Sequence, residues 1–404
     1  RRMTVLIADK FPEEQQQALR NAGCTVITDA SLKDDALVAA IEKSAPDILV
    51  VRSTKVPEAA IAGHPGLSLI VRAGAGYDTI DVAAASNRSV YVANCPGMNS
   101  VAVAELAFAL ILSLDRRVPD NVADLRRGVW NKGEYSKADG LYGKTLGIVG
   151  VGRIGLEVAR RGRAFGMDVI AWSRSLTPEK ATEPGLRRAD SPEAVAAEAE
   201  VVSMHVASTP DTKGIAGSSF FDAMKPGAYF VNTSRAEIVD HEALRKAITD
   251  KGIRAGLDVF EGEGSGKAGS VETDLFELPG VYGTHHIGAS TAQAQNAVAD
   301  EVVRIVTSYL RTGTVPNVVN RLEKTPAKYV LSVHHRNRVG VLASVLQIVK
   351  ENGINVDVME NELFQGGQGA CANIQIEAPL SEAALAKIRN SGEEIFAVAM
   401  HEIG

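Results

Sequence analysis

Gly150-Val151-Gly152-Arg153-Ile154-Gly155 places three glycines in G-x-G-x-x-G spacing, directly after the β-rich run Thr145 to Val149 and at the start of a helical pattern, Arg153 to Phe165. Few sequence features restrict a fold as much. The first glycine permits a tight turn, the second lets the backbone approach a pyrophosphate, and the third lets helix and strand pack closely. The pattern calls for a βαβ unit, hence a parallel sheet covered by helices. Unpaired N–H groups and the partial positive charge at the helix start favour a diphosphate. Gly150, Gly152, Arg153, Ile154 and Gly155 are therefore candidate dinucleotide contacts.

In such a unit the next strand, here Asp168 to Trp172, ends in an acid that binds the adenosine ribose, about 20 residues after the loop. Here it ends in Ser173-Arg174-Ser175, and the first acid is Glu179. Two readings stay open. Ser173 and Arg174 suit the 2′-phosphate of NADP. Alternatively, Ser173 bonds a ribose hydroxyl while Arg174 stacks on adenine, and NAD is accepted.

The rest of the chain extends the α/β alternation in both directions. Thr4 to Ala8, Asp47 to Val51, Ser68 to Val71 and Ser89 to Val92 read as buried parallel strands, separated by helices such as Pro12 to Ala22 and Lys33 to Lys43. Asn99 to Arg127 reads as one long helix. Val201 to Met204, Ala228 to Asn232 and Ile253 to Asp258 continue the second set of strands, and a helix from Thr291 to Leu310 follows. The expected fold is two doubly wound, Rossmann- or flavodoxin-like parallel-sheet lobes. The expected substrate lobe is 3–98 with 290–318, and the dinucleotide domain is 99–289. After a polar linker with Pro316 and Pro326, residues 327–404 show β-α-β-β-α-β order, a ferredoxin-like α+β unit with its hairpin at Gly366 to Gly369.

With 43 basic against 49 acidic residues the net charge is −6, which argues against bulk attraction to nucleic acid or anionic membrane. Three distant cysteines, Cys24, Cys95 and Cys371, indicate neither a disulfide framework nor a metal site. No signal peptide or membrane-spanning run is evident. A cytoplasmic protein without a metal is expected.

Three charged residues recur at expected strand ends of the second lobe: Arg235, Glu263 and His286. Ligands gather at such carboxyl ends. Oxidising a secondary alcohol takes a proton from oxygen and a hydride from carbon. A histidine suits the proton, because it titrates near neutrality. A carboxylate beside it orients the ring and favours the protonated form. An arginine grips a substrate carboxylate and polarises a carbonyl. Taken singly, each is as easily a surface or structural group. Together, behind a dinucleotide loop, they point to a dehydrogenase.

Here the chain resembles the D-2-hydroxyacid dehydrogenase family over roughly residues 4 to 312. The Arg, Glu, His order recurs with spacings of 28 and 23 residues, in the segments Asn232 to Ala236, Gly256 to Phe260 and His286 to Thr291. The resemblance implies that Asp258 holds the nicotinamide carboxamide region, Val206 the adenosine side and Thr233 with Ser234 the nicotinamide ribose. Ala75, Gly288 and Ala289 complete the implied cofactor contacts. Arg52 to Val56, Arg72 to Asp78 and Asn94 to Ser100 are similar to the phosphoglycerate dehydrogenase branch. That similarity implies that Arg52, Ser53, Arg72 and the Gly74 turn bind the substrate and its phosphate. Four departures stand out: Ser173-Arg174, Ala207, Ala236 after the arginine and Gly264 after Glu263.

Residues 328–404 resemble an ACT domain, a module that often binds amino acids and joins subunits. His335, Asn337 and Asn355 are the implied effector residues, with Val339 in place of a usual proline. The implied activity is oxidation of 3-phospho-D-glycerate to 3-phosphooxypyruvate with NAD, on the route to L-serine. A serine-regulated homo-oligomer, dimer or tetramer, is expected. The rivals are an NADPH-dependent glyoxylate or hydroxypyruvate reductase and a non-catalytic dinucleotide sensor.

Overall fold

A computed structural model describes residues 2–182, 185–264 and 268–403. By internal contacts the chain divides into two units, meeting between Asn320 and Arg321.

The first unit holds two parallel sheets. Strands β1 (Thr4–Ile7), β2 (Thr25–Thr28), β3 (Ile48–Val51), β4 (Leu69–Arg72) and β5 (Tyr91–Ala93) lie in the order β2-β1-β3-β4-β5. The order reverses between β1 and β3. Strands β6 (Thr145–Val149), β7 (Asp168–Trp172), β8 (Arg187–Arg188), β9 (Val201–Met204), β10 (Tyr229–Asn232), β11 (Arg254–Leu257) and β12 (Val281–Gly283) form the second sheet, ordered β12-β11-β10-β9-β6-β7-β8. Its reversal lies between β6 and β9. Helices cover both faces of a parallel sheet, so its strands are apolar throughout. Every residue of β3, β9 and β10 is buried.

Three strands escape the sequence reading. β2 pairs on one side only and is largely exposed, so it lacks the apolar signature of its neighbours. β8 and β12 are two- and three-residue strands of the second sheet, too short for any period to show.

The expected helix from Asn99 to Arg127 is also two helices. Ser100–Arg116 ends where Arg117 adopts a left-handed conformation, φ 51°. Val118–Arg126 then restarts with Pro119 in its first turn. Proline carries no N–H for a preceding carbonyl and clashes with the turn before it, so it suits a helix start and breaks a helix interior. The first of these helices packs Leu110 against Gly256 of β11, where a Cβ would lie 3.0 Å from the Leu110 Cβ. The helix Ala292–Thr312 buries Val302, Ile305 and Val306 in the core of the first sheet.

In the second unit β13 (Tyr329–Arg336), β14 (Val356–Leu363), β15 (Gly369–Ile376) and β16 (Ile395–Glu402) form an antiparallel sheet ordered β14-β15-β13-β16. Its helices Val341–Glu351 and Glu382–Arg389 bury Val345, Ile348, Leu385 and Ile388 with Leu331, Val333, Ala372 and Ile374. This is the ferredoxin-like arrangement expected from the β-α-β-β-α-β order. The three cysteines are buried and free. Among the described residues no helix is long and apolar enough to cross a membrane.

Candidate active site

The glycine loop lies at the reversal of the second sheet, between the ends of β6 and β9. Its glycines have three separate physical reasons. Gly150 has φ +103°, and a Cβ there would collide with the His205 carbonyl. A Cβ on Gly155 would collide with the Gly150 carbonyl. A Cβ on Gly152 meets nothing within 4 Å among the described residues. The missing side chain at Gly152 therefore leaves room for something other than the protein. Gly152 also starts the helix Arg153–Ala164 without a side-chain cap, so its first N–H groups stay available to an anion. The donors and the space fit a dinucleotide pyrophosphate.

Around this loop, Ile154 packs into the apolar core, leaving its backbone to face a ligand. Val206 lies against Gly150. His205, which follows β9, meets the Ser203 hydroxyl at 2.8 Å. Desolvation pushes its imidazole down to about 3, so it is neutral near pH 7. Ser234 donates to the Met204 carbonyl at 2.7 Å. The Thr233 Oγ1 is buried without a partner among the described residues, an orphaned group of the kind a ligand satisfies. Arg153 reaches across to the first sheet and donates to the Pro96 carbonyl at 2.6 Å.

Arg235, Glu263 and His286 follow β10, β11 and β12, adjacent strands of one sheet, as their sequence positions suggest. The His286 Nδ1 lies 3.1 Å from the Glu263 Oε1. The ring is half exposed and Glu263 about a third exposed, so neither is sealed in a core. With Nδ1–H donated to Glu263, Nε2 is left to accept a proton. Asn232 anchors the arginine loop, its Nδ2 donating to the Arg235 carbonyl and its Oδ1 accepting the Ser234 N–H.

Asp258 is 1% exposed. Its carboxylate accepts the Thr284 hydroxyl at 2.6 Å and the N–H groups of Ile287 and Gly288, both at 2.9 Å. Whatever else it touches, it braces the loop that carries His286, with Ala289 half-buried just beyond.

From the first sheet come Arg52, at the end of β3, and Arg72, the last residue of β4. Asp9, just after β1, accepts the N–H groups of Arg52, Ser53 and Thr54 at 2.6, 3.2 and 3.2 Å, together with the Ser53 hydroxyl at 3.3 Å. Asp9 therefore shapes the turn that presents Arg52. Arg72 donates to the Ala73 carbonyl, and its Nε is buried without a partner among the described residues. Burial lowers the Arg72 pKa, Asp78 opposes that, and the charges of Arg52 and Arg235 lower it further. Three guanidinium groups from both sheets therefore share one electrostatic neighbourhood. A Cβ on Gly74 would meet the Arg72 guanidinium, and its φ of +156° is one that L side chains rarely adopt, so glycine suits the turn. The Ala75 carbonyl accepts the Asn94 amide at 2.7 Å.

Sequence reasoning missed Asp9 and Asp78, both acids close after a strand end. It also missed Asn99 and Ser100. Asn99 has the position and chemistry of a helix N-cap, yet makes no cap bond, and its Oδ1 and the Ser100 Oγ are buried without partners among the described residues.

The three expected effector residues do not meet within the second unit. His335 is 1% exposed, with Nδ1 against the Arg336 carbonyl and Nε2 against the Asn361 Oδ1. Asn337 donates to the Gly367 carbonyl at the hairpin. Asn355 precedes Val356, which pairs with Ile376, whereas His335 pairs with Ala370. Six residues of strand separate them, roughly 20 Å.

The family model for the D-isomer specific 2-hydroxyacid dehydrogenase NAD binding domain matches residues 108–288. The chain is 37% identical over 318 residues to the D-3-phosphoglycerate dehydrogenase of Methanocaldococcus jannaschii, covering 78% of this chain and 59% of that protein. It thus spans about 59% of that curated relative's length. It is 39% identical to the glyoxylate reductase of Thermococcus litoralis, covering 68% of this chain and 84% of that one. The structure of NAD+-bound 3-phosphoglycerate dehydrogenase from Entamoeba histolytica superposes with a TM-score of 0.66 at 26% identity, covering 80% of this chain and 100% of that chain. With the NAD binding domain matched and 39% identity across most of a relative, the chain belongs to the D-isomer specific 2-hydroxyacid dehydrogenase family.

Proposed function

We propose that this chain oxidises 3-phospho-D-glycerate to 3-phosphooxypyruvate, reversibly, as a step toward L-serine. One observation carries the reading: Arg52, Arg72 and Arg235, drawn from two sheets, share one electrostatic neighbourhood. A small 2-hydroxy acid with one carboxylate needs one arginine. A substrate with a carboxylate at one end and a dianionic phosphate at the other uses three. The domains are taken as 3–98 with 290–318 for substrate, 99–289 for dinucleotide and 327–404 for regulation.

In this reading Arg235 binds the carboxylate and carbonyl end, with the backbone of the Gly74 turn. Arg52 and Arg72 bind the phosphate, and Ser53 lends its hydroxyl. His286 accepts the C2 hydroxyl proton at Nε2, while Glu263 holds Nδ1 and steadies the imidazolium that forms. The bound nicotinamide supplies a hydride acceptor at C4. Gly150, Gly152, Gly155, Thr233 and Ser234 hold and orient it, and the buried Asp258 keeps the His286 loop fixed beside it.

The reading extends to a cytoplasmic homo-oligomer whose ACT-like second unit binds L-serine. His335 and Asn337 lie at one end of their sheet and Asn355 at the other, so a shared serine site would need a second copy of the chain. The second reading, a glyoxylate or hydroxypyruvate reductase, draws on the similarity to the Thermococcus litoralis glyoxylate reductase.

The test is initial rate with 3-phosphooxypyruvate, glyoxylate and hydroxypyruvate, each with NADH and NADPH, with and without L-serine. A kcat/KM at least tenfold higher for 3-phosphooxypyruvate is expected. Preference for glyoxylate or hydroxypyruvate overturns the assignment. Rates unmoved by L-serine overturn the regulatory part alone.

A further inference from the structure

Glu263 serves His286 only while its carboxylate stays against the ring Nδ1, 3.1 Å away. The loop that carries it has little stiffness of its own. Gly262, Gly264 and Gly266 alternate through it, and glycine leaves the main chain freer than any other residue. The Glu263 N–H reaches the Phe260 carbonyl only at 3.4 Å, a long bond.

The flanks of the loop are nevertheless fixed. Phe260 is buried and packs edge-on against Phe276, with ring centroids 4.7 Å apart. The Gly262 carbonyl accepts the Glu272 N–H at 2.9 Å, which closes the loop at its neck. Further hold comes from the helix between β10 and β11, His241–Lys251. Its Arg245 pairs with Asp274 at 2.7 Å. Its first residue, His241, accepts the Glu261 N–H at Nε2, 3.2 Å away. Glu261 lies two residues before Glu263, between the buried Phe260 and the first glycine.

His241 stands on a firm base. Asp240 caps the helix and accepts the N–H groups of Glu242 and Ala243, both at 3.1 Å. Ala243, Leu244, Ala247 and Ile248 anchor the helix in the core. The His241 side chain is only 11% exposed, against 81% for Glu261. An acceptor at Nε2 needs a neutral ring with its hydrogen on Nδ1. Burial lowers the His241 pKa, and Glu261, the Val239 backbone and Asp240 oppose that, while Arg245 adds to it. The ring is therefore neutral near pH 7 and keeps its acceptor.

We propose that His241 is a positioning residue for Glu263: its ring pins the Glu261 main chain and so keeps the glycine-rich loop where Glu263 meets His286. This inference rests on the proton-transfer role proposed for the His286–Glu263 pair, and is independent of which 2-oxo acid is reduced.

The test is a double-mutant cycle on the full chain at pH 7, reading the reduction of 3-phosphooxypyruvate, hydroxypyruvate or glyoxylate by NADH, whichever turns over fastest. His241→Leu keeps the bulk and removes the acceptor. Its kcat should fall at least about tenfold, with KM within about threefold, since the loss is one of orientation rather than binding. In a Glu263→Ala background the same change should cost less than about twofold, because its effect runs through the missing carboxylate. His241→Gln, whose Oε1 can accept the Glu261 N–H, should recover most of the rate, whereas the shorter His241→Asn should not. The asparagine variant also supplies the cycle if the leucine variant fails to fold in urea titrations. Unchanged kcat in both variants that lack the acceptor overturns the proposal. So does a loss equally large with and without the Glu263 carboxylate. Unchanged kcat in Glu263→Ala alone overturns the role of the His286–Glu263 pair itself.

Discussion

Asp258 holds the main chain of His286: the histidine N–H donates to the Asp258 carbonyl at 3.0 Å, and the Asp258 carboxylate takes the N–H groups of the next two residues. His286 has φ 51°, a left-handed conformation that a non-glycine residue holds only when its surroundings impose it. Asp258→Asn keeps the size of the side chain but gives up an acceptor oxygen for an NH2 group. Unfolding in urea should show a loss of about 1–3 kcal/mol, since a buried N–H loses its partner. The kcat should fall as well, although His286 is intact. Unchanged kcat and stability would contradict the bracing role.

The three glycines of the loop should respond differently to alanine. Gly155→Ala drives a Cβ into the Gly150 carbonyl, so the domain should lose about 1–3 kcal/mol of stability. At Gly152 a Cβ meets no protein atom, and the melting temperature should barely move. Dinucleotide affinity, read by nucleotide fluorescence, should still drop at least about tenfold in Gly152→Ala, because the methyl occupies the approach of the pyrophosphate. Normal dinucleotide binding by Gly152→Ala would show that the loop serves packing alone.

Arg72 and Asp78 should shift the KM for substrate in opposite directions. The Asp78 Oδ1 lies 4.0 Å from the Arg235 Nη2, a carboxylate beside the group to which we assign the substrate carboxylate. Asp78→Asn removes this exposed competitor, and KM for 3-phosphooxypyruvate should fall by a few fold, the scale of an exposed ion pair. Arg72→Lys exchanges a planar fork for a point charge, and KM should rise roughly tenfold or more. Steady-state kinetics at two ionic strengths would check both, and a raised KM in Asp78→Asn would refute the competitor role.

Glu301 ties the helix Ala292–Thr312 to the segment that follows it. It accepts from Arg304 and from the Asn317 amide, which also donates to the Asn94 carbonyl beside β5. The Arg304 hydrogen bond first, and the Asn317 amide with it, holds the Glu301 carboxyl below its usual range against the opposing effect of burial. A carboxylate depressed in the folded state stabilises it above the unfolded pKa, about 4.3, and that contribution is lost as pH falls through the folded value. Glu301→Gln should therefore lower the melting temperature at pH 7, with the gap from the parent closing below about pH 4. A gap that persists in acid would remove the charge from the explanation.

Much of the site was legible because its signals are local. The glycine loop follows from steric needs within six residues. Arg235, Glu263 and His286 stand out because their three residue types recur behind that loop in the family's order and spacing. Where local signals were weak, the reading failed. β2 is short and exposed, and Arg117 breaks a run of helix formers through a backbone angle that only Pro119 hints at. The effector reading grouped His335, Asn337 and Asn355 by resemblance to an ACT-domain segment, while strand register sets six residues of sheet between them within one copy of the chain.

The sequence by itself determined the βαβ units, the dinucleotide loop and the types of group available for chemistry, because turns, periods and caps depend on near neighbours. Tertiary structure alone decided which of those groups meet. Arg52 and Arg72 come from one sheet and Arg235 from another. Only the two strand-order reversals and the helices that join the sheets bring their charges together. No local rule encodes that proximity, since it arises from how two separately packed cores are set against each other.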